Sequence, residues 1–250
     1  MKYGVCHLGV VPLRRENDHK SELVSQLLYG EAFKIIDQRK DWYKIRLLWD
    51  AYEGWITQHQ ASLIEEAQYK TIQQKDFSCT QNLIDFVHLN KEEIFPVPLG
   101  SDLRALSILN HSIEDSSTQS TKLIKEELVK TAYKFLHAPY LWGGKTPFGI
   151  DCSGLTQMVY KIHGHALKRD AWQQAQQGTT LSFIDESEPG DLAFFDNKEG
   201  DIIHVGILMQ NHFIIHAHGQ VRIDRIDQTG IFNVEKQTHS HKLRLIKSML

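Results

Sequence analysis

Cys152 is the residue of this 250-residue chain whose neighbours suit covalent chemistry. It follows Pro139-Tyr140-Leu141-Trp142-Gly143-Gly144 and stands within Gly149-Ile150-Asp151-Cys152-Ser153-Gly154-Leu155, where the pattern turns helical. At a helix start, unpaired N–H groups and the positive dipole end favour an anion, here a thiolate, which is the nucleophilic form of cysteine. Glycines on both sides let a substrate approach the backbone closely. A thiolate also needs a base. His204 and His216 lie on two apolar, strand-like runs with a tight turn at Gln210–Asn211 between them. Adjacent antiparallel strands would set the two rings side by side on one face. His204 would then act as base and His216 would hold its tautomer, the arrangement of thiol proteases.

Other chemistries have less support. Cys6 and Cys79 lack such a setting and read as small buried hydrophobes. Three cysteines are too few and too scattered for a disulfide framework. Fourteen histidines raise a zinc reading through His216-x-His218, His239-x-His241 or Cys152 with two histidines. These lack a second cysteine or carboxylate cluster at ligand spacing, so no metal or other cofactor is expected, and His239 and His241 are expected on the solvated surface. Lys plus Arg number 28 against 31 Asp plus Glu, a formal net charge of −3. That balance gives no electrostatic footprint for nucleic acid or an anionic membrane. No apolar run reaches the roughly 18 residues of a spanning helix. Met1–Arg15 shows neither the apolar core nor the cleavage site of a signal peptide. A cytoplasmic location is therefore expected, and a periplasmic or extracellular one if a leader has been removed.

The elements that must position these residues change along the chain. Residues 1–65 carry short strands at Lys34–Asp37, Trp42–Leu47 and Glu53–Ile56, closely spaced as in a small barrel. In residues 66–120 the signals are fainter: Phe95–Gly100 is turn-like, Leu103–Leu109 fits strand or helix, and the polar run Glu114–Ser120 reads as a linker. Leu123, Ile124, Leu128, Ala132, Phe135 and Leu136 predict an amphipathic helix over 121–137, with Thr121 near its start and Pro139 ending it. A second helix is expected from Cys152 to Ile162, with Gly164 in the C-cap role. Strands follow at Asp191–Phe195, His204–Met209 and His212–Ala217. Helices followed by strands indicate an α+β domain.

Tyr140-Leu141-Trp142-Gly143-Gly144, Asp151-Cys152-Ser153-Gly154, Gly190-Asp191-Leu192 and His204-Val205-Gly206-Ile207, in that order, resemble the NlpC-type cell-wall cysteine peptidases over residues 121–250. The resemblance implies a papain-like α+β domain that cleaves peptides of bacterial peptidoglycan. It implies Cys152 as nucleophile, His204 as base and His216 as the third, orienting residue. Tyr140 is similar to the tyrosine whose hydroxyl joins the Cys152 N–H in the oxyanion hole. Trp142, Asp151 and Ser153 resemble substrate-pocket positions. Arg169 and Asp170 resemble another stretch of that pocket, but Ala171 stands where relatives often carry a peptide-contacting serine.

The N-terminal residues add to this. Pro12-Leu13-Arg14, Ser21-Glu22 with Gln26, Gly30-Glu31 and Asp50-Ala51-Tyr52-Glu53-Gly54-Trp55 resemble the bacterial SH3-like modules of γ-D-glutamyl-L-diamino acid endopeptidases. In those enzymes a Glu and a Tyr hold the substrate's free amine, which makes Glu22 and Tyr52 the candidates here. One or two small all-β SH3-like barrels are thus expected before the catalytic domain: one over 1–65, and a possible second with a linker over 66–120. The expected activity is hydrolysis of the γ-D-glutamyl–diamino acid bond in murein peptides with a free N-terminal L-Ala, in cell-wall recycling. The alternatives are a secreted hydrolase of intact peptidoglycan, or an inactive murein-peptide-binding module, against which stands the complete Cys152, His204, His216 set.

Overall fold

The computed structural model describes residues 2–114, 125–234 and 236–249. The chain divides into two compact units, Met1–Thr121 with Trp142–Thr146, and Lys122–Leu141 with Pro147–Leu250.

In the first unit, β1 (Lys2–Val5), β2 (Val10–Arg14), β3 (Leu23–Leu28), β4 (Ala32–Arg39), β5 (Trp42–Leu47), β6 (Glu53–Thr57) and β7 (Ser62–Ile64) form one antiparallel sheet ordered β3-β2-β6-β5-β4-β1-β7. The two-residue period of a strand explains its core. Val11 and Leu13 of β2 face inward with Tyr43, Ile45 and Leu47 of β5, around Leu27 and Phe33. Cys6 is also buried there, as expected. Gly30, at φ +76°, joins β3 to β4; a Cβ there would lie 1.7 Å from the Asp102 carbonyl oxygen, so no side chain fits.

Residues beyond 65 differ from the expected strands-only module. They open with helix α1 (Glu66–Gln74), followed by β8 (Ile84–His88), β9 (Ile94–Pro98), α2 (Leu106–Leu109) and β10 (Ser112–Ile113), with the sheet ordered β10-β8-β9. The helix forms because the Glu65 N–H donates to Gln68 Oε1 at 2.9 Å, and because Tyr69 and Ile72, three apart, bury one face against Tyr3 and Val5. The ambiguous Leu103–Leu109 segment resolves as the short helix α2. Trp142–Thr146 belongs to this unit and includes β11 (Lys145–Thr146). The Lys145 N–H donates to Gln26 Oε1 at 2.6 Å, and the buried Lys145 ammonium lies 3.4 Å from Glu31.

The second unit is α+β. Helix α3 (Lys125–Tyr133) is the described part of the helix expected over 121–137; Thr121 and residues 122–124 lie outside the described residues, as does the polar run from 115 onward. It ends early because the N–H groups of Lys134, Phe135 and Leu136 bond three residues back, tightening the last turn. After β12 (Gly149–Ile150), helix α4 spans Cys152–Ile162 as expected, is buried along its whole length, and ends before Gly164 at φ +76°. Short helix α5 (Ala171–Gln174) precedes β13 (Thr179–Leu181), β14 (Leu192–Asp196), β15 (Ile202–Met209), β16 (Phe213–His218), β17 (Gln220–Ile226), β18 (Gly230–Asn233) and β19 (Thr238–Ser248). These strands are ordered β13-β19-β14-β15-β16-β17-β18, and β19 also pairs with β18, which closes β14 to β19 into a six-stranded barrel. Ala193, Phe195, Leu208, Ile214, Ile226 and Ile246 share its core. α4 packs on β15 and β16.

Candidate active site

Cys152 is the first residue of α4, and Asp151 is its N-cap with an extended backbone. Asp151 Oδ1 accepts the Gly154 N–H at 2.6 Å, satisfying one of the donors that a helix start leaves open. The same carboxylate takes a bidentate Arg169 guanidinium, from Nη1 at 3.0 Å and Nη2 at 2.5 Å, and Arg169 Nη1 also reaches Ser153 Oγ at 3.0 Å. Arg169 is 1% exposed. Asp151, Ser153 and Arg169, expected to line the substrate pocket, are therefore brought together in a buried network that holds the helix start. Asp170 sits at the head of α5, where its N–H donates to Gln173 Oε1 at 3.1 Å. From that helix, Gln174 donates to the Ser153 carbonyl at 3.0 Å, tying α5 to α4.

The Cys152 sulfur receives backbone N–H groups of Val205 and Ser153. Burial, and after it the Asp151 charge, push its thiol up to about 12 despite those donors and Arg169. Desolvation thus opposes the thiolate that the helix start favours. His204 is buried and held well below its ordinary value of 6.5, by burial first and then by His216, His241 and His218. Burial therefore favours the uncharged form of each group.

His204 Nε2 lies 2.8 Å from His216 Nδ1. The two rings meet on one face of adjacent antiparallel strands, as expected, though not as ladder partners. Gly206 is the partner of His216, and His204 reaches it diagonally from the same face of β15. Behind them, His216 Nε2 lies 3.0 Å from Asp224 Oδ2 of β17. Arg222 donates to that carboxylate from Nε at 2.7 Å and Nη2 at 2.9 Å. Burial raises Asp224, but the bonds from His216 and Arg222 overcome it and hold the carboxyl below its ordinary value. His241 of β19 stacks on His204 with ring centroids 4.2 Å apart, so the expected solvated position is corrected. Burial, followed by His216 and His218, lowers it to about 4. Its neighbour His239 is the one at the surface, 2.9 Å from Asp227.

Sequence reasoning missed Asp224, Arg222 and His241. The alternation Val221-Arg222-Ile223-Asp224 marks a strand whose polar positions fall on one side, and Leu243, Leu245 likewise mark β19.

Tyr140 is fixed by its N–H, which donates to the Gly219 carbonyl at 2.9 Å, and by a bridge to Ile150. Burial, then the proximity of Cys152 and Asp151, push its phenol above the usual range, so it stays a proton donor. Within the first unit, Glu22 Oε1 accepts from Trp142 Nε1 at 2.7 Å and Oε2 lies 2.7 Å from Arg15 Nε. Tyr52 packs its half-buried ring on the barrel core. Among the described residues no group of three or more His, Cys, Asp or Glu side chains is arranged to hold a metal ion, and no helix is long and apolar enough to cross a membrane.

The cysteine at a helix head and the histidines on the adjoining barrel fall within a stretch that is similar to a known family. Residues 137–240 match the NlpC/P60 family, and residues 13–60 match the bacterial dipeptidyl-peptidase Sh3 domain. It is 26% identical over 228 residues to the gamma-D-glutamyl-L-lysine dipeptidyl-peptidase of Bacillus cereus, covering 79% of this chain and 68% of that protein. To dipeptidyl-peptidase 6 of Lysinibacillus sphaericus it is 26% identical over 255 residues, covering 86% and 89%. The crystal structure of an NlpC/P60 family protein from Bacillus cereus matches the fold with a TM-score of 0.78 at 18% identity, over 99% of both chains.

Proposed function

We propose that this protein is a cysteine endopeptidase hydrolysing the γ-D-glutamyl–diamino acid bond of short murein peptides whose N-terminal L-Ala amine is free. The observation that carries the reading is the 2.8 Å contact of His204 with His216, together with the N–H of the next residue, Val205, on the Cys152 sulfur. The sulfur attacks the γ-carbonyl as its proton passes to His204. The Tyr140 hydroxyl and the Cys152 N–H donate to the oxyanion. His204 then protonates the leaving amine, and a water that it deprotonates cleaves the thioester, restoring thiol and imidazole. The names of the relatives support the bond chosen, since one is a gamma-D-glutamyl-L-lysine dipeptidyl-peptidase.

Residues 121–250 are the proposed catalytic domain, 1–65 an SH3-like domain, and Glu22 and Tyr52 the amine-binding pair. A charge-assisted hydrogen bond to an ammonium contributes about 1.5–3 kcal/mol. Selection for a free amine favours released peptides over polymer, which fits recycling in the cytoplasm. The test is mass-spectrometric digestion of L-Ala–γ-D-Glu–L-Lys, its N-acetylated analogue and intact murein. Release of L-Ala–γ-D-Glu with at least about tenfold preference for the free amine is expected, about 1.4 kcal/mol. Products from intact murein alone would overturn the reading in favour of a wall hydrolase.

A further inference from the structure

We infer that Asp224 is a positioning residue that sets the tautomers of both histidines, so that His204 presents a bare Nδ1 to the Cys152 thiol. The inference rests on the proposed roles of Cys152 and His204. Its geometry is a chain of two polar contacts running from β15 through β16 to β17, at 2.8 Å from His204 to His216 and 3.0 Å from His216 to Asp224, closed by the two Arg222 bonds.

Each contact dictates the next. A carboxylate only accepts hydrogen bonds, so the His216 nitrogen facing Asp224, Nε2, must carry hydrogen. In a neutral ring that leaves His216 Nδ1 as an acceptor, and the His204 nitrogen facing it, Nε2, must be the donor. The hydrogen of neutral His204 is then used up at Nε2, and the lone pair stands at Nδ1. Without the carboxylate, a His216 hydrogen on Nδ1 would force His204 into the opposite tautomer, whose Nδ1–H cannot take the thiol proton. Period-two spacing makes this possible: His204, His216 and Asp224 lie on the barrel face that also bears Leu208, Ile214 and Ile226. Asp224 is 5% exposed, so water does not compete for the carboxylate. Arg222 balances the buried charge and fixes the carboxylate plane from the other side. When His204 takes the proton, the resulting cation faces His216 and, through it, Asp224; the proton stays on His204 and Asp224 stays ionised.

Besides Asp224 and Arg222, the titratable groups around the two rings are His218 on β16 and His241 on β19. Asp224 raises the proton affinity of His216 and Arg222 lowers it, and His216 in turn bears on His204 through the 2.8 Å contact. The two variants therefore move the acid limb of kcat/KM in opposite directions. In Asp224→Asn the limb should shift to lower pH, with kcat reduced about a hundredfold and KM changed less than about threefold. In Arg222→Gln it should shift to higher pH. A merely structural role would lower activity in both without opposed shifts, and that result would overturn the inference.

Nitrogen-15 NMR of histidine-labelled protein reads the tautomers without turnover. Wild type should show both His204 and His216 protonated on Nε2, and Asp224→Asn should show a mixture at His216. A resting His204 protonated on Nδ1 would overturn the inference whatever the kinetics. If Asp224→Asn fails to fold, the wild-type spectrum and Arg222→Gln still decide. Failure of the catalytic roles themselves would appear separately, as activity surviving Cys152→Ala.

Discussion

Gly206 stands directly across the β15–β16 ladder from His216, and a methyl group on it would lie 2.9 Å from His216 Cβ and 2.7 Å from Ile214 Cδ1. The bare position lets the His204 ring cross diagonally to His216 over a distance that a side chain would occupy. A glycine two residues after His204 is thus part of how the pair meets.

Gly206→Ala should therefore lower kcat by at least about tenfold and cost about 1–3 kcal/mol of stability, the range for overpacking. Steady-state kinetics with urea unfolding separates the two effects. Full activity in a stable variant would show that the ladder yields without moving His216.

Cys152→Ala removes one sulfur from a buried helix start and adds nothing, so the fold should survive. Hydrolysis should fall by about three or more orders of magnitude, as is usual when a nucleophile is lost. Retention of about a tenth of wild-type activity would reassign the nucleophile.

The thiol and imidazole titrate in a defined order. His204 is lowered below 6.5, so the base form persists as pH falls and the acid limb of kcat/KM should lie below pH 6.5. Cys152 is raised to about 12, so thiolate absorbance near neutral pH, taken as the difference from Cys152→Ser, should be absent. A thiolate signal at pH 7 would mean that an ion pair forms before substrate arrives.

His216→Asn keeps an oxygen able to accept from the His204 ring and should retain measurable turnover, whereas His204→Ala should retain none. Equal and complete loss in both would show that His216 does more than orient.

Arg169→Met leaves the Asp151 carboxylate buried without its cation. Breaking a buried pair from one side costs about 3–5 kcal/mol, and a denaturation midpoint shifted accordingly is expected. Loss of activity without loss of stability would instead favour a substrate contact for Arg169.

The order of motifs makes the unit that holds Cys152, His204 and His216 legible in the sequence. Cys152 at the head of α4 and the two histidines on neighbouring strands needed only a helical start, a turn at Gln210–Asn211 and two apolar runs. Asp224, Arg222 and His241 were not legible in that way. Each lies on a strand whose neighbours are set by long-range pairing, and β19 reaches its place through register shifts against both β14 and β18. A bulge changes which face a residue occupies, so His241 could not be assigned to the interior from spacing alone. Helix α1 was missed for a different reason: its stretch is polar, with Tyr69 and Ile72 its buried residues.

Strand β19 also sets the order of events at the ribosome. It is the last of the described strands to be synthesised, yet it lies between β13 and β14 and closes against β18. Until it emerges, β14 and β18 each present an open edge, the kind of surface that nascent chains expose to aggregation and chaperones. A growing chain already carries Cys152, His204 and His216 while lacking the strand that stacks His241 on His204, so this cluster is completed late, when β19 docks.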